Sequence, residues 1–425
     1  MKPEASRKEP PGTGTAPAAG PSFRQAQWQV LFALMFCYLF FYTGRQNFGW
    51  AIKGIQDEFK LSPAELGIIS GAMLACYGVG QAINGNLGDK FGGRRMVFLG
   101  ALLSCALNWV TSFGHSFWTL LWPWMANGFV QSMSWAPGSR MLSNWWPAHE
   151  RGKAFGFYTF SAGFSSVLIY GLAIVILQYL HWQWLFRLPV LLLAGAGCIF
   201  YLLARDRPQD KGFAPLTDDA VSAVASSQET SAQRYAAVIA NVPFLAACLA
   251  IGFESMARYG LLVWVPVHYL GPDWKDNPQG VWITLALPVG MAFGALTSGY
   301  ISDRLFRSNR SRTIALFLGL AAVVALSLYV VPKENKLAGL GLLFLAGFFV
   351  YGPQAAFWAL CPDVLGRERS ATGVGLMNAF AYGFAAIGEP LIGHLVQVQG
   401  NTTIIFGVVA LACILGMLCI LPVKR

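Results

Sequence analysis

Apolar residues fall in long blocks separated by short polar gaps, and no block shows the strict alternation of a half-buried strand. A helix needs about 20 mostly apolar residues to cross the hydrocarbon core of a bilayer. Twelve stretches qualify: 26–50, 66–87, 96–113, 117–139, 154–177, 185–204, 242–266, 280–300, 313–331, 337–360, 371–396 and 402–421. The longest polar interval, 205–240, divides them six and six. The pattern predicts an all-α integral membrane protein, with twelve transmembrane helices in two pseudo-symmetric six-helix bundles. Residues 1–25 are expected as a disordered tail, 26–204 as the first bundle, 205–240 as a linker and 241–425 as the second bundle. The opening residues are rich in Pro, Gly, Ala and charge and lack the apolar core of a signal peptide.

Composition sharpens this picture through what is missing. Only 12% of the residues are charged, against about a quarter in soluble domains, too few to build a water-facing surface. The net charge of +10 does not indicate a nucleic-acid partner, because the basic residues lie in short gaps rather than as a patch interleaved with aromatics. Of the 30 basic residues, 22 fall in the two termini, the linker and the even-numbered loops, and six in the odd-numbered loops. Lysine and arginine resist translocation, so termini and linker are expected in the cytoplasm and the chain in the plasma membrane. The eight cysteines sit in or beside apolar blocks without a CxxC pair or metal spacing, and read as packing residues.

Two arginines, Arg45 and Arg258, remain, and both fall inside apolar stretches. A charge at mid-bilayer costs roughly 3 kcal/mol even on lenient scales, and such residues usually face a cavity. The arginines belong to the first and seventh spans, equivalent places in two parallel repeats, so a two-fold axis along the membrane normal brings them together. Two converging guanidiniums suit an anion, best a phosphate, to which each fork donates paired hydrogen bonds. The alternatives are that Arg45 snorkels to the interface and that Glu254, at i−4, neutralises Arg258.

The halves also repeat at their loops. Gly85-Asn-Leu-Gly-Asp89-Lys-Phe-Gly-Gly-Arg94-Arg95 follows the second span, and Gly299-Tyr-Ile-Ser-Asp303-Arg304-Leu-Phe-Arg307 the eighth. These loops resemble the cytoplasmic loop motif of the major facilitator superfamily. The expectation is a conformational latch in which Asp89 and Asp303 pair with nearby arginines, Arg94 and Arg307 among them, or with helix ends. Ordinary positive-inside charge is the plainer alternative.

A closer resemblance is carried by Tyr38-Leu-Phe-Phe-Tyr42-Thr-Gly-Arg45, Trp135-Ala-Pro-Gly-Ser-Arg140, Asp206-Arg-Pro-Gln-Asp-Lys-Gly212, Arg258-Tyr259-Gly260 and Tyr351-Gly-Pro353. Together these resemble the organophosphate:phosphate antiporter family. The resemblance implies that Arg45 and Arg258 bind phosphate and that Tyr38, Tyr42 and Tyr77 line the same cavity. The departures matter as much. Gln46 and Gln81 stand where family members carry lysine, and Pro288 and Val263 stand where the acidic partners of those lysines fall. A family histidine falls at about Ala162. This paired loss implies a more neutral cavity, with Gln46 and Gln81 in the binding site and a substrate that is a monoanion, a phosphonate or another organic anion. Glu254 and Glu389 lie outside the family pattern and are candidates for carrying a coupling proton.

The expected function is therefore secondary active transport of a small organophosphate by alternating access, in exchange for inorganic phosphate or with a proton. The alternative is a membrane sensor that keeps the site without moving its ligand. No GxxxxGK[ST] motif is present for ATP hydrolysis, and no cluster of residues at catalytic spacing suggests an enzyme. The sequence calls for no cofactor and no metal. Expected partners are the small anion and the bilayer, with the protein a monomer.

Overall fold

A computed structural model describes residues 22–214, 216, 229–270 and 282–423; among them the chain is helical, without a strand. The first span is α1 (Phe23–Phe41) and α2 (Asn47–Phe59), joined by a 3₁₀ turn at Tyr42–Gly44. It is followed by α3 (Pro63–Phe91), α4 (Gly93–Thr111), α5 (Phe117–Gln131) with α6 (Trp135–Trp145), α7 (Ala148–Tyr179) and α8 (Trp184–Leu203). A short α9 (Ser231–Ile239) precedes α10 (Val242–Leu270), α11 (Trp282–Arg304) and α12 (Arg310–Val330). The chain ends with α13 (Lys336–Tyr351) and α14 (Gln354–Leu365), α15 (Ser370–Gln399) and α16 (Ile404–Ile420). Pairing α1 with α2, α5 with α6 and α13 with α14 gives the twelve expected spans.

Eight of these spans are long and apolar enough to cross a membrane by length and composition alone. The other four are α4, which opens on Arg94 and Arg95, the divided α5–α6, α7, and the 17-residue α16. Helices start earlier than hydropathy suggests because their ends are capped in polar surroundings. Ser22 and Gln25 form a reciprocal cap on α1, as Ser62 and Glu65 do on α3. The expected tail therefore ends before Phe23, and its first 21 residues lie outside the described ones. The expected linker likewise contains α9.

The halves meet where α3 packs on α15 and α7 on α11. Each crossing is built on a glycine pair. A Cβ on Gly375 would run into the Gln81 carbonyl, and one on Gly299 into the Gly152 carbonyl. Only backbones without side chains approach this closely, as at small-residue crossings in membranes generally.

Below these crossings, the end of the molecule carrying the basic loops is closed by ion pairs between halves. Asp89 is buried at the end of α3 and accepts from the Ala371 and Thr372 amides (3.1 and 2.8 Å) and the Thr372 hydroxyl (2.6 Å), at the start of α15. A carboxylate there is favoured by the unpaired amides and the helix dipole. Asp303, at the end of α11, accepts from the Lys153 amide (2.7 Å) in the first turns of α7. The expected latch aspartates thus each grip a helix start in the opposite half.

Their arginines are not the expected ones. Asp89 pairs with Arg140 of α6 (3.4 Å) and Asp303 with Arg310 of α12. Arg94 instead donates to the Tyr201 carbonyl (2.8 Å) and lies over the Tyr201 ring, within its own half. Arg307 is exposed in a turn at φ 49°, beside Ser308 at φ 63°; this left-handed turn carries its side chain away from Asp303. Arg310 belongs to the basic cluster that follows the second loop, whereas Arg140 lies far from the first loop in sequence, which is why loop spacing did not reveal it. Arg140 also binds Glu368 (2.7 Å), and Asp363 joins Arg151 and Arg310 (3.3 Å) across the halves.

Candidate functional site

Arg45 owes its position to a break in the first span. The sequence reads 26–50 as one helix; the structure interrupts it at Tyr42–Gln46, and Arg45 follows the 3₁₀ turn. Carbonyls released by such a break need new donors in a dry interior. Asn127 of α5 and Asn108 of α4 both donate to the Gly44 carbonyl (2.8 and 3.1 Å). Asn47, which restarts the helix, donates to Asn108 (2.8 Å) and to the Leu185 carbonyl (3.1 Å). Gly44 itself admits no side chain: a Cβ would sit 2.9 Å from the Gln131 amide and 3.0 Å from the Ser104 hydroxyl. This buried polar knot, which hydropathy hides, aims Arg45 inward.

Arg258 rides on an unbroken helix, α10. The equivalent of the first-span break is absent here, and the fourth and tenth spans break instead, at Ser132–Ser134 and at Gly352–Pro353. Those breaks bring Trp135 and Trp358 together, rings 5.5 Å apart and edge-on.

The two arginines are linked by aromatic rings. Arg45 lies over Tyr42 (4.1 Å) and Tyr77 (4.7 Å), and Arg258 over Tyr259 (4.5 Å) and Tyr351 (5.2 Å). Tyr382 of α15 stands between, 5.0 Å from Tyr77 and 5.9 Å from Tyr259. The chain Arg45–Tyr77–Tyr382–Tyr259–Arg258 runs from one half to the other. Each guanidinium is held by ring quadrupoles rather than by an acid; among the described residues no carboxylate lies within 4.0 Å of either.

Beside these groups lies a cavity of about 30 Å³ between the halves; Arg45, Gln46 and Gln81, also expected in the site, are not among its lining residues. Tyr38, Tyr42, Tyr77 and Arg258 line it, as the sequence leads one to expect, with Ala162 where the family histidine falls. Tyr351, Gln354, Trp358, Asn378 and Tyr382 line it too and were not anticipated as site residues. A second cavity of about 910 Å³, walled by Gly, Ala and aliphatic chains of α3 and α15 and by Tyr259, Val263 and Trp264 of α10, shares Tyr382 with the first.

The other expected site residues divide. Gln81 is buried at the α3–α15 crossing, and neither atom of its amide has a hydrogen-bond partner. Gln46 is the N-cap residue of α2, next to Arg45. Glu254 is wholly buried but forms no ion pair with Arg258; it accepts instead from Gln354 of α14 (2.7 Å) and from Ser255 (3.0 Å). The proposed neutralisation of Arg258 by Glu254 is therefore not what the structure contains. The side chain of Glu389 lies outside the described residues.

The profile of the Major Facilitator Superfamily matches residues 34–389. The chain belongs to that superfamily. Its fold is that of solved members: the proton:xylose symporter XylE aligns over 93% of this chain and 95% of its own, with a TM-score of 0.74 at 14% identity. The transporter FucP in the outward conformation aligns over 94% and 100%, with a TM-score of 0.71 at 13% identity. Among curated proteins, the glycerol-3-phosphate transporter of Bacillus subtilis is 26% identical over 393 residues, covering 88% of this chain and 87% of that protein. A probable hexose phosphate transport protein of Chlamydia pneumoniae is 26% identical, covering 93% and 90%. The membrane sensor protein UhpC of Salmonella typhimurium is 24% identical, covering 94% and 92%. Membership makes the chain a multi-pass membrane protein of transporter architecture, with twelve helices and no enzymatic role.

Proposed function

We propose that the protein moves a small organic anion bearing a phosphate or phosphonate group by alternating access, holding it between Arg45 and Arg258. One observation carries the reading: two guanidiniums, one per half, stack on tyrosine rings that line one cavity, Arg258 itself lining it, and among the described residues neither has a carboxylate within 4.0 Å. Such forks stay available for an anion that donates no proton and accepts paired bonds. The relatives named for glycerol-3-phosphate and hexose phosphate transport agree with this choice. Gln81, with its unpartnered amide, and Gln46 supply neutral polar groups where more charge was possible, which favours a substrate of low charge.

The 22-to-6 basic asymmetry supports a reading with the termini and the closed end on the cytoplasmic side. The structure is then the state shut toward the cytoplasm by the Asp89 and Asp303 grips. Reopening there while the other end closes delivers the substrate. Exchange for inorganic phosphate fits the same pair of arginines.

A second reading follows from the similarity to the UhpC sensor along nearly the whole chain: the site binds an organophosphate without moving it. Counterflow in proteoliposomes separates the two, using glycerol-3-phosphate, a hexose 6-phosphate, a phosphonate and inorganic phosphate. Saturable counterflow of one organic probe, competed by inorganic phosphate, is expected. Binding of a probe with no flux supports the sensor, and neither binding nor flux of any probe refutes the anion site.

A further inference from the structure

We propose that Glu254 carries a proton across the membrane together with the substrate, by competing with the substrate anion for Arg258. The inference rests on the anion-transport reading above.

Glu254 is wholly buried in the middle of α10. One carboxyl oxygen accepts from Gln354 (2.7 Å) and Ser255 (3.0 Å), and the other has no partner. Arg258 lies one turn along the same helix face, four residues on, where a salt bridge forms readily. None has formed, and the Arg258 Nε is likewise buried without a partner. Two groups able to satisfy each other therefore each keep one polar atom unfilled, a costly arrangement in a dry interior. It becomes reasonable if Arg258 is reserved for a ligand and the carboxyl holds a proton while that ligand is bound.

Among the described residues no charge other than Arg258 acts on Glu254. Tyr351 of α13 and Cys413 of α16 lie within electrostatic reach of Glu254. Tyr382 of α15 lies near both arginines, α14 offers the neutral Gln354, and α9 and α11 bring no charged group to act on Glu254 among the described residues. Gln354 stands just beyond the break in the tenth span and also lines the central cavity. It thus joins the carboxyl to the place where the anion binds.

The cycle balances. With the anion bound, Arg258 donates to it and Glu254 keeps its O–H bond. When the anion leaves, Arg258 turns to Glu254, the O–H bond breaks, and the proton passes to water in the open cavity. The carboxylate–guanidinium pair returns through the membrane. At the entry side a proton from water rejoins Glu254 as the next anion takes Arg258. One proton travels with each substrate, and no other co-reactant is needed.

The test uses full-length protein in proteoliposomes, with the same four probes and a trapped pH dye. At one proton per substrate, a gradient of one pH unit, acid outside, supports about tenfold accumulation of the probe that shows counterflow. Wild type should accumulate it and acidify the lumen. Glu254→Gln should keep counterflow, lose gradient-driven accumulation and move no protons, while Glu254→Asp should restore both in part. If wild type shows counterflow but no proton movement, the coupling is refuted and transport stands; this holds even if Glu254→Gln does not fold. Accumulation by Glu254→Gln equal to wild type removes Glu254 from the role. Absence of counterflow with all four probes refutes the transport reading, and the inference with it.

Discussion

Consider replacement of Arg258 by glutamine, which keeps a polar side chain in the cavity but removes the fork and the charge. In the resting protein Arg258 rests on Tyr259 (4.5 Å) and Tyr351 (5.2 Å). That attraction exists with and without substrate, so it cancels from a binding difference and appears only as a modest loss of stability. What does not cancel is the charge-assisted pair of bonds to the anion, about 1.5–3 kcal/mol. At 1.4 kcal/mol per decade, the affinity should fall about 10- to 150-fold. Trp135 and Trp358 line the cavity and provide an intrinsic fluorescence signal for the titration, with Trp358→Phe as control. Arg258→Lys should recover only part of the loss, because a point charge cannot reproduce a planar fork. Arg45→Gln should cost a similar factor alone but little more when added to Arg258→Gln, since the two share one ligand. A folded Arg258→Gln protein that titrates with unchanged affinity would refute the shared site.

Three further predictions concern the frame around it. Asp89→Asn or Asp303→Asn removes a buried charge from a grip between halves, an effect of about 3–5 kcal/mol for a broken buried pair. The change should be larger in turnover than in ligand affinity; a collapse of affinity with normal turnover sinks the latch. Gly44→Ala pushes a methyl against Gln131 and Ser104, with an expected destabilisation of about 1–3 kcal/mol. Thermal unfolding in detergent and the probe titration should both worsen, and an unchanged melting curve contradicts the polar knot. For orientation, a cysteine at Asp210 in a cysteine-depleted variant should resist impermeant thiol reagents on intact cells, while one at Lys333 reacts; the reverse labelling inverts the topology.

The spans were legible in the sequence because the bilayer demands length and apolarity, two properties a single pass detects. Arg45 and Arg258 were legible for the same reason, as charges where charge is expensive. What stayed hidden depends on contact between distant segments. Asn47, Asn108 and Asn127 look like scattered polar residues until Asn108 and Asn127 meet on the Gly44 carbonyl and Asn47 donates to Asn108. Tyr382 carries no motif, and only the crossing of α15 over α3 places it between the arginines. The aspartates of the loop motif were visible, and Arg310 stood in the basic cluster after the second loop, but Arg140 comes from the middle of α6, distant in sequence from Asp89. Spacing alone offers Glu254 as one possible partner of Arg258, because it records neighbours along one helix and not Gln354 arriving from another.

The pseudo-two-fold that relates the halves fails at the residues it should equate. Arg258 is mounted on a continuous rod, so its height in the membrane is fixed to that of α10 and everything packed against it. Arg45 hangs on a swivel of one 3₁₀ turn whose orientation is set by side chains rather than by the helical ladder. In the proposed function the anion then meets a fixed post and an adjustable arm. On that reading a bulkier or smaller substrate is accommodated by resetting the arm through the three asparagines, without disturbing the post or the crossings on which the halves pivot. Substrate range in this architecture should accordingly drift through changes in α4 and α5, two helices that contribute no side chain to the arginine cavity itself.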